Sequence, residues 1–309
     1  MRRQSAMAVV MVCVLSMAGP CAAESKGLPE TPEEFEAKLG YQTGTVELAG
    51  GVATIHLPES FRFIGPEGSR RLLESGWGNP AGMAEGVLGM LIPSGVSPLS
   101  REGWGIVITY DQDGYVDDKD AASIDYNKML KEMQEAALAA NKERKKKGYE
   151  PVTLVGWAEP PSYDGATHKL YWAKELAFGG APEHTLNYNI RILGRRGVLV
   201  LNAVSNMSEL SAIRGQSKDI LAAVDFNQGH RYTDFLPGKD KAAAYGVGGL
   251  ILGAAAAKAG FFKLLWVAIL GFKKLIIAGV VGVGALLKRV FGARKQNPYD
   301  APNSGEYKT

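Results

Sequence analysis

The 309-residue chain is 46% hydrophobic and 22% charged, enough apolar material to bury a core and too much for a wholly disordered chain. Its formal net charge of +3 hides a split: residues 24–241 carry 24 Lys and Arg against 30 Asp and Glu, whereas residues 242–299 carry eight basic residues and no acid. An acidic body argues against nucleic acid as a partner, because phosphate backbones need a concentrated basic surface, and a basic apolar tail points to anionic lipid.

Residues 1–23 read as an export signal peptide. Arg2 and Arg3 precede an apolar run from Ala6 to Met17, and Cys21-Ala22-Ala23 offers small residues ahead of a cut before Glu24. The alternative is a lipoprotein lipidated at Cys21, which Ala18 and Pro20 disfavour. Cys13 and Cys21 are the only cysteines, so ordinary cleavage leaves a body with no thiol, disulfide or cysteine metal ligand. Residues 24–40 suit a flexible lead, with a short helix after Thr31-Pro32-Glu33.

The pattern of an extracytoplasmic domain runs over 41–236. Thr45–Leu48 and Val52–Leu57 flank Ala49-Gly50-Gly51 and predict a hairpin turning at the glycines. Gly105–Tyr110 predicts a strand, and Ser123–Lys147 a helix with Ile124, Met129, Met133, Ala136, Ala137 and Ala140 on its apolar face. Strand signals return at 152–157, 168–176, 185–193 and 197–203, the last two around a Gly-Arg-Arg-Gly turn. Ser208–Val224 predicts a second helix. The sum is an α+β fold, a mostly antiparallel sheet with packed helices, followed by a C-terminal transmembrane or amphipathic helical segment.

That C-terminal segment is the strongest single signal. Residues 242–262 are long and apolar enough for one crossing, with Lys258 near one end. Residues 263–291 form a second apolar stretch in which Lys263, Lys274 and Lys288 share one helix face and Lys273 stands beside Lys274. The expected topology is one crossing, then a helix lying in the cytoplasmic leaflet with Lys258, Lys263, Lys273, Lys274, Lys288 and Arg289 anchoring it at anionic headgroups. A hairpin of two crossings is the alternative. Residues 292–309 are polar and predict a disordered tail.

Catalytic signatures are missing: no Gly-x-Ser-x-Gly, His-Glu-x-x-His, Walker loop or CxxC occurs, and no cofactor is implied. Gly246-x-Gly248-Gly249 falls in the membrane-directed segment, where close helix packing accounts for it. The sharpest local pattern is the acidic loop Asp111–Asp120. Its carboxylates Asp111, Asp113 and Asp117 have the density of a Ca²⁺ loop but not EF-hand spacing, and a turn at Asp113-Gly114 with acidic helix caps explains them equally. His168 and Glu175 are imaginable as an acid-base pair, but seven residues of strand place them on opposite faces. Trp77, Trp104 and Trp157, with Tyr163, sit at glycine- and proline-rich strand ends. There they either line a ligand groove or plug the ends of a small core.

Several motifs together resemble a bacterial family of uncharacterised membrane-anchored proteins, domain of unknown function 2167. They are Phe61-Arg62-Phe63, Gly76–Pro80, Trp104–Tyr110 with Asp113–Val116, Ile124-Asp125-Tyr126, Leu154–Trp157, Lys169–Lys174, Leu186–Arg191 and Gly229–Tyr232. The resemblance implies an exported domain with a C-terminal anchor and supplies no activity, cofactor or catalytic residue.

The expected function is therefore a membrane-anchored binding or structural module at the extracytoplasmic face of the inner membrane, in contact with the lipid bilayer and with an unknown envelope protein or ligand. One alternative is an envelope hydrolase, which requires Trp77, Trp157, Asp164 and His168 to converge in one cleft. Another is a sensor or remodeller of anionic membrane acting through the basic C-terminal helix.

Overall fold

The structure is a computed structural model that describes residues 30–146 and 148–253. The expected signal peptide, the lysine-bearing stretch 263–291 with its anchoring residues, and the tail lie outside the described residues.

An eight-stranded antiparallel sheet organises the body. Its strands are β1 (Tyr41–Gln42), β4 (Phe61–Ile64), β5 (Val87–Pro93), β6 (Ile106–Asp111), β7 (Val152–Asp164), β8 (Lys169–Phe178), β9 (Thr185–Leu193) and β10 (Val198–Asn206), in the order β1-β4-β5-β6-β10-β9-β8-β7. A three-stranded sheet adds β2 (Thr45–Glu47), β3 (Ala53–His56) and β11 (Val224–Phe226). The helices are α1 (Pro32–Ala37), α2 (Pro66–Arg70), α3 (Tyr126–Lys146), α4 (Leu210–Ala223) and α5 (Val247–Leu252). The fold is α+β, as the strand spacing predicts.

Alternation along the central strands divides the large sheet into two faces. On one, Ile106, Ile108, Leu186, Tyr188, Ile190, Ile192, Leu199 and Leu201 pack against Ile213 and Ile220 of α4 and against Ile55, Val224 and Phe226 of the small sheet. The opposite face has no single core. It carries three separate apolar clusters: one with α1 and the turn after α2 around Leu72, Met90 and Ile92, one with α3 around Leu154, Leu176 and Phe178, and one with α5 around Leu170, Trp172, Leu193 and Val200.

The local expectations meet their reasons in the structure. The β2–β3 hairpin turns where Gly50 and Gly51 take φ of +78° and +68°, values that favour glycine. The β9–β10 turn is closed by the Gly194 amide donating to the Gly197 carbonyl (2.8 Å). Helix α3 begins at Tyr126 rather than Ser123, because the Asp125 carboxylate accepts from the amides of Asn127 and Lys128 (both 3.0 Å) and sets the start there. Strand β7 is longer than its apolar run predicts. It continues through Pro160 and Pro161 with three register irregularities, which an edge strand tolerates because one side of its backbone has no partner to lose.

The end of the body is the largest difference. The sequence places the domain boundary at 236 and opens a membrane crossing at 242. In the structure residues 242–252 belong to the body. Ala242 bridges to Tyr115, and Val247, Leu250 and Ile251 are buried against the sheet. Burying each of these side chains contributes roughly 1.5–3 kcal/mol, a stabilisation that a crossing starting at 242 would forgo. No helix among the described residues is long and apolar enough to cross a membrane. The remainder of the expected 242–262 crossing lies outside them.

Candidate functional site

The acidic loop between β6 and α3 distributes its carboxylates among different partners. Asp113 Oδ2 accepts from the Tyr245 hydroxyl (3.0 Å), Asp117 Oδ2 pairs with Lys119 Nζ (2.7 Å), and Asp118 Oδ2 accepts from the Tyr163 hydroxyl (2.6 Å). Asp120 accepts from two amides at the start of α5, Val247 through Oδ1 and Gly248 through Oδ2 (both 2.9 Å). Asp111 closes β6, where burial and then the neighbouring Asp113 charge push its carboxyl up. Asp111, Asp113 and Asp117 therefore do not share a centre, and no group of three His, Cys, Asp or Glu among the described residues is placed to hold a metal ion. The loop works instead as a dock for α5. Two glycines make that dock possible. A Cβ on Gly246 would lie 2.6 Å from Asp120 Oδ1, and one on Gly114 2.6 Å from the Lys241 carbonyl.

The tryptophans do not form one groove. Trp77 is buried in the α1–α2 cluster with its Nε1 donating to the Pro98 carbonyl (2.8 Å). Trp104 packs edge-on against Phe61 in the core between the sheets, with ring centroids 5.9 Å apart. Trp157 donates to the Tyr126 carbonyl (3.2 Å) beside α3. Asp164 holds the β7–β8 turn, accepting from the Ala166 amide (2.8 Å) and the Thr167 hydroxyl (2.7 Å). Asp164 and His168 share the β7–β8 turn, but Trp77 lies in the α1–α2 cluster and Trp157 beside α3, so the four groups a hydrolase would bring together do not converge in one cleft.

His168 is held in a different constellation, one the sequence does not reveal. It sits in the same turn at φ +54°, with Nδ1 3.2 Å from the Tyr163 hydroxyl and 3.4 Å from Asp118 Oδ2. Its ring stacks on Tyr232 (3.9 Å), Tyr232 on Tyr115 (4.4 Å), and Tyr115 on Phe235 (3.9 Å). Burial raises the pKa of the Tyr163 hydroxyl, and its bond to Asp118 raises it further, so Tyr163 remains a proton donor. Burial opposes ionisation of Asp118, yet hydrogen bonds from Tyr163 first and then Tyr232, with His168 beside them, hold its carboxyl below the usual range. His168, Tyr163 and Asp118 thus form a half-buried acid–histidine knot stacked on Tyr232.

The most unusual chemistry lies on the sheet face that carries three clusters. Strand register places Lys174 opposite Asn187, Trp172 opposite Asn189, Leu170 opposite Arg191, and Asn189 opposite Asn202. Side chains opposite one another share a face. A polar belt of Lys174, Asn187, Asn189, Asn202 and Arg191 therefore runs between the α3 and α5 clusters. The three asparagines are almost fully buried, between 1% and 5% exposed. Asn189 Nδ2 donates to Asn187 Oδ1 (3.0 Å), and Arg191 Nη1 donates to the Ile190 carbonyl (2.8 Å) and Asn202 Oδ1 (3.0 Å). The Arg191 guanidinium lies over the Trp172 ring at 4.9 Å.

Several donors of the belt have no acceptor. Asn187 Nδ2 and Trp172 Nε1 are buried without a hydrogen-bond partner, and Lys174 Nζ makes no hydrogen bond or ion pair among the described residues. Burial pushes the Lys174 ammonium down to about 8, with the Arg191 charge adding to the effect. Arg191 is likewise pushed down to about 10 by burial, which Asp111 and Tyr245 partly offset. Unmet buried donors are costly, commonly about 1–3 kcal/mol each, and two of them lie in this one belt beside two cations. In the sequence, Leu186-Asn187-Tyr188-Asn189-Ile190-Arg191 is an alternating strand whose polar face would ordinarily meet solvent. Only the helices laid over both faces reveal that it does not.

The family model described as "Protein of unknown function (DUF2167)" matches residues 40–284. The chain belongs to that family. No curated protein matches it. Among solved structures, the cyanobacterial PsbP (CyanoP) of Synechocystis sp. PCC 6803 is similar at 6% identity with a TM-score of 0.33, covering 61% of this chain and 94% of that one. The Ran-binding protein Mog1p of Saccharomyces cerevisiae is similar at 12% identity with a TM-score of 0.31, covering 63% and 100%. Likenesses this distant carry no functional argument.

Proposed function

We propose that this member of the family is an exported binding module of the bacterial envelope, tethered to the inner membrane by the apolar, lysine-bearing sequence that follows Gly253. The observation that carries the reading is the docking of α5. Asp120 caps it and its apolar side chains enter the sheet cluster, so the sequence rich in lysine and free of acid leaves the body from a fixed point. A tether attached this way holds the body at a set orientation to an anionic surface, with Lys258, Lys263, Lys273, Lys274, Lys288 and Arg289 at the headgroups. Binding is favoured over hydrolysis because Trp77 and Trp157 lie away from the turn that holds Asp164 and His168, whereas the polar belt offers donors in want of an acceptor.

The test is a pair of fusions to a reporter active only outside the cytoplasm, one after Gly253, which keeps α5 in the body, and one after Thr309. Activity after Gly253 with silence after Thr309 supports export and a single crossing. Activity at both supports export with a hairpin. Silence after Gly253 overturns the envelope reading.

A further inference from the structure

We propose that the polar belt on the α3–α5 face is a binding site for a phosphate oxyanion, held by Lys174 and Arg191 and completed by Asn187 and Trp172. This deepens the binding-module reading and rests on it.

Three observations carry the assignment. The first is the sign of the unmet groups. Lys174 Nζ, Asn187 Nδ2 and Trp172 Nε1 are all donors, and the Asn187 and Trp172 side chains are each only 1% exposed. A site made of donors and two cations takes an acceptor carrying negative charge. Lys174 and Arg191, unlike Asn187 and Trp172, are only half-buried.

The second observation is that the chain's own next segment cannot satisfy the belt with side chains. From Ala254 to Lys295 it contains no Asp, Glu, Asn, Gln, Ser or Thr. It brings further lysines and no acceptor side chain.

The third concerns which oxyanion fits. Arg191 Nη1 is already committed to the Ile190 carbonyl and Asn202 Oδ1, and Nη2 faces Asn189 Oδ1 at 3.5 Å. The end-on fork of the guanidinium is therefore taken, and Arg191 offers its charge and its Nε edge. Beside that edge stand one ammonium, one amide and one indole N–H, a number of donors that suits the four oxygens of a tetrahedral phosphate better than the two of a carboxylate. The Asp111 carboxylate lies towards the Arg191 end and opposes an anion there, which places the phosphate nearer Lys174 and Asn187.

Free phosphate and the phosphate of an anionic lipid headgroup share this chemistry, and one experiment separates them. The full chain in neutral detergent is unfolded thermally with inorganic phosphate, with a short-chain phosphatidylglycerol, or with succinate at matched ionic strength, and bound phosphate is titrated in parallel. A rise in Tm with inorganic phosphate assigns a free-phosphate site, and a rise with phosphatidylglycerol alone assigns a headgroup site. Lys174→Met is expected to raise the Tm of the ligand-free protein, since it removes an unpartnered, half-buried ammonium, and to weaken binding on the order of tenfold or more. Asn187→Leu is expected to weaken binding while the chain stays folded. The proposal is overturned by no shift with either phosphate, by an equal shift with succinate, or by binding unchanged in both variants. It is also overturned if Lys174→Met lowers the ligand-free Tm, which would mean that Lys174 is paired within the protein. Because these readouts do not depend on which side of a membrane the body lies, they fail independently of the topology fusions.

Discussion

Asp120 and Val247, 127 residues apart in the chain, are joined by a 2.9 Å hydrogen bond from the Val247 amide to Asp120 Oδ1. With its twin from Gly248, this bond turns a loop whose carboxylates resemble a metal site into the N-terminal cap of α5. Asp120→Ala is expected to destabilise the body by about 1–2 kcal/mol and to speed hydrogen exchange at Val247 and Gly248 selectively. Exchange at those amides matching the wild type would remove the cap from the account. Gly246→Ala should act in the same direction, because its Cβ would stand 2.6 Å from Asp120 Oδ1 and expel the carboxylate from its position.

Lys174 gives the body an alkaline dependence of opposite sign to the usual one. Burial leaves its folded value at about 8 against 10.5 for the free side chain. Between those values the unfolded chain holds a proton that the folded chain has released, so stability rises with pH across the window, by at most about 3 kcal/mol. Lys174→Met should flatten that rise. Denaturant midpoints for both proteins at pH 7.5 and 9.5 provide the measurement, and parallel curves would show that the ammonium is not buried as described.

Asp240 governs the acid side. The Arg195 guanidinium grips it through two contacts (2.6 and 3.2 Å), with the Leu236 amide (2.8 Å) and Arg196 Nε (3.2 Å) beside it, and these together hold its carboxyl well below the usual carboxylate range against the effect of burial. A depressed folded value means the stabilisation is complete above the unfolded value of about 4 and is lost as pH falls below it. Asp240→Asn should lower the denaturation midpoint at pH 7 and narrow the difference between pH 7 and pH 3. An unchanged difference would show that the acid sensitivity lies elsewhere.

His168 combines an uncommon backbone conformation with a stacked ring. At φ +54° an asparagine is tolerated better than an alanine, whereas both lose the stack on Tyr232. His168→Ala is expected to cost about 1–3 kcal/mol and His168→Asn measurably less. Equal losses in urea unfolding would mean that the ring alone matters. Tyr163→Phe should raise the Asp118 pKa, read by carboxyl NMR titration, because it removes the principal bond that favours the carboxylate.

Much of the architecture is legible residue by residue. The glycines at 50 and 51, the Gly-Arg-Arg-Gly turn and the apolar face of α3 each state a local rule, and a local rule needs no distant partner. The candidate site is not legible in that way. Asn187, Asn189 and Arg191 alternate with apolar residues as in any half-exposed strand, and Lys174 is one lysine among many. Asp120 likewise reads as a cap for the nearest helix, and in the structure it caps one at the far end of the body.

What the sequence by itself determined is the α+β class, the antiparallel pairing of its strands and the concentration of basic residues in an apolar C-terminal stretch, since these follow from periodicity, turn chemistry and composition, all properties of neighbouring residues. Only the tertiary structure decided that the first residues of that stretch belong to the domain, that the acidic loop docks them, and that a row of polar side chains lies buried with donors unmet. Burial and partnership are relations between residues remote in the chain, and the free energy of an unpaired donor exists only once folding has removed it from water.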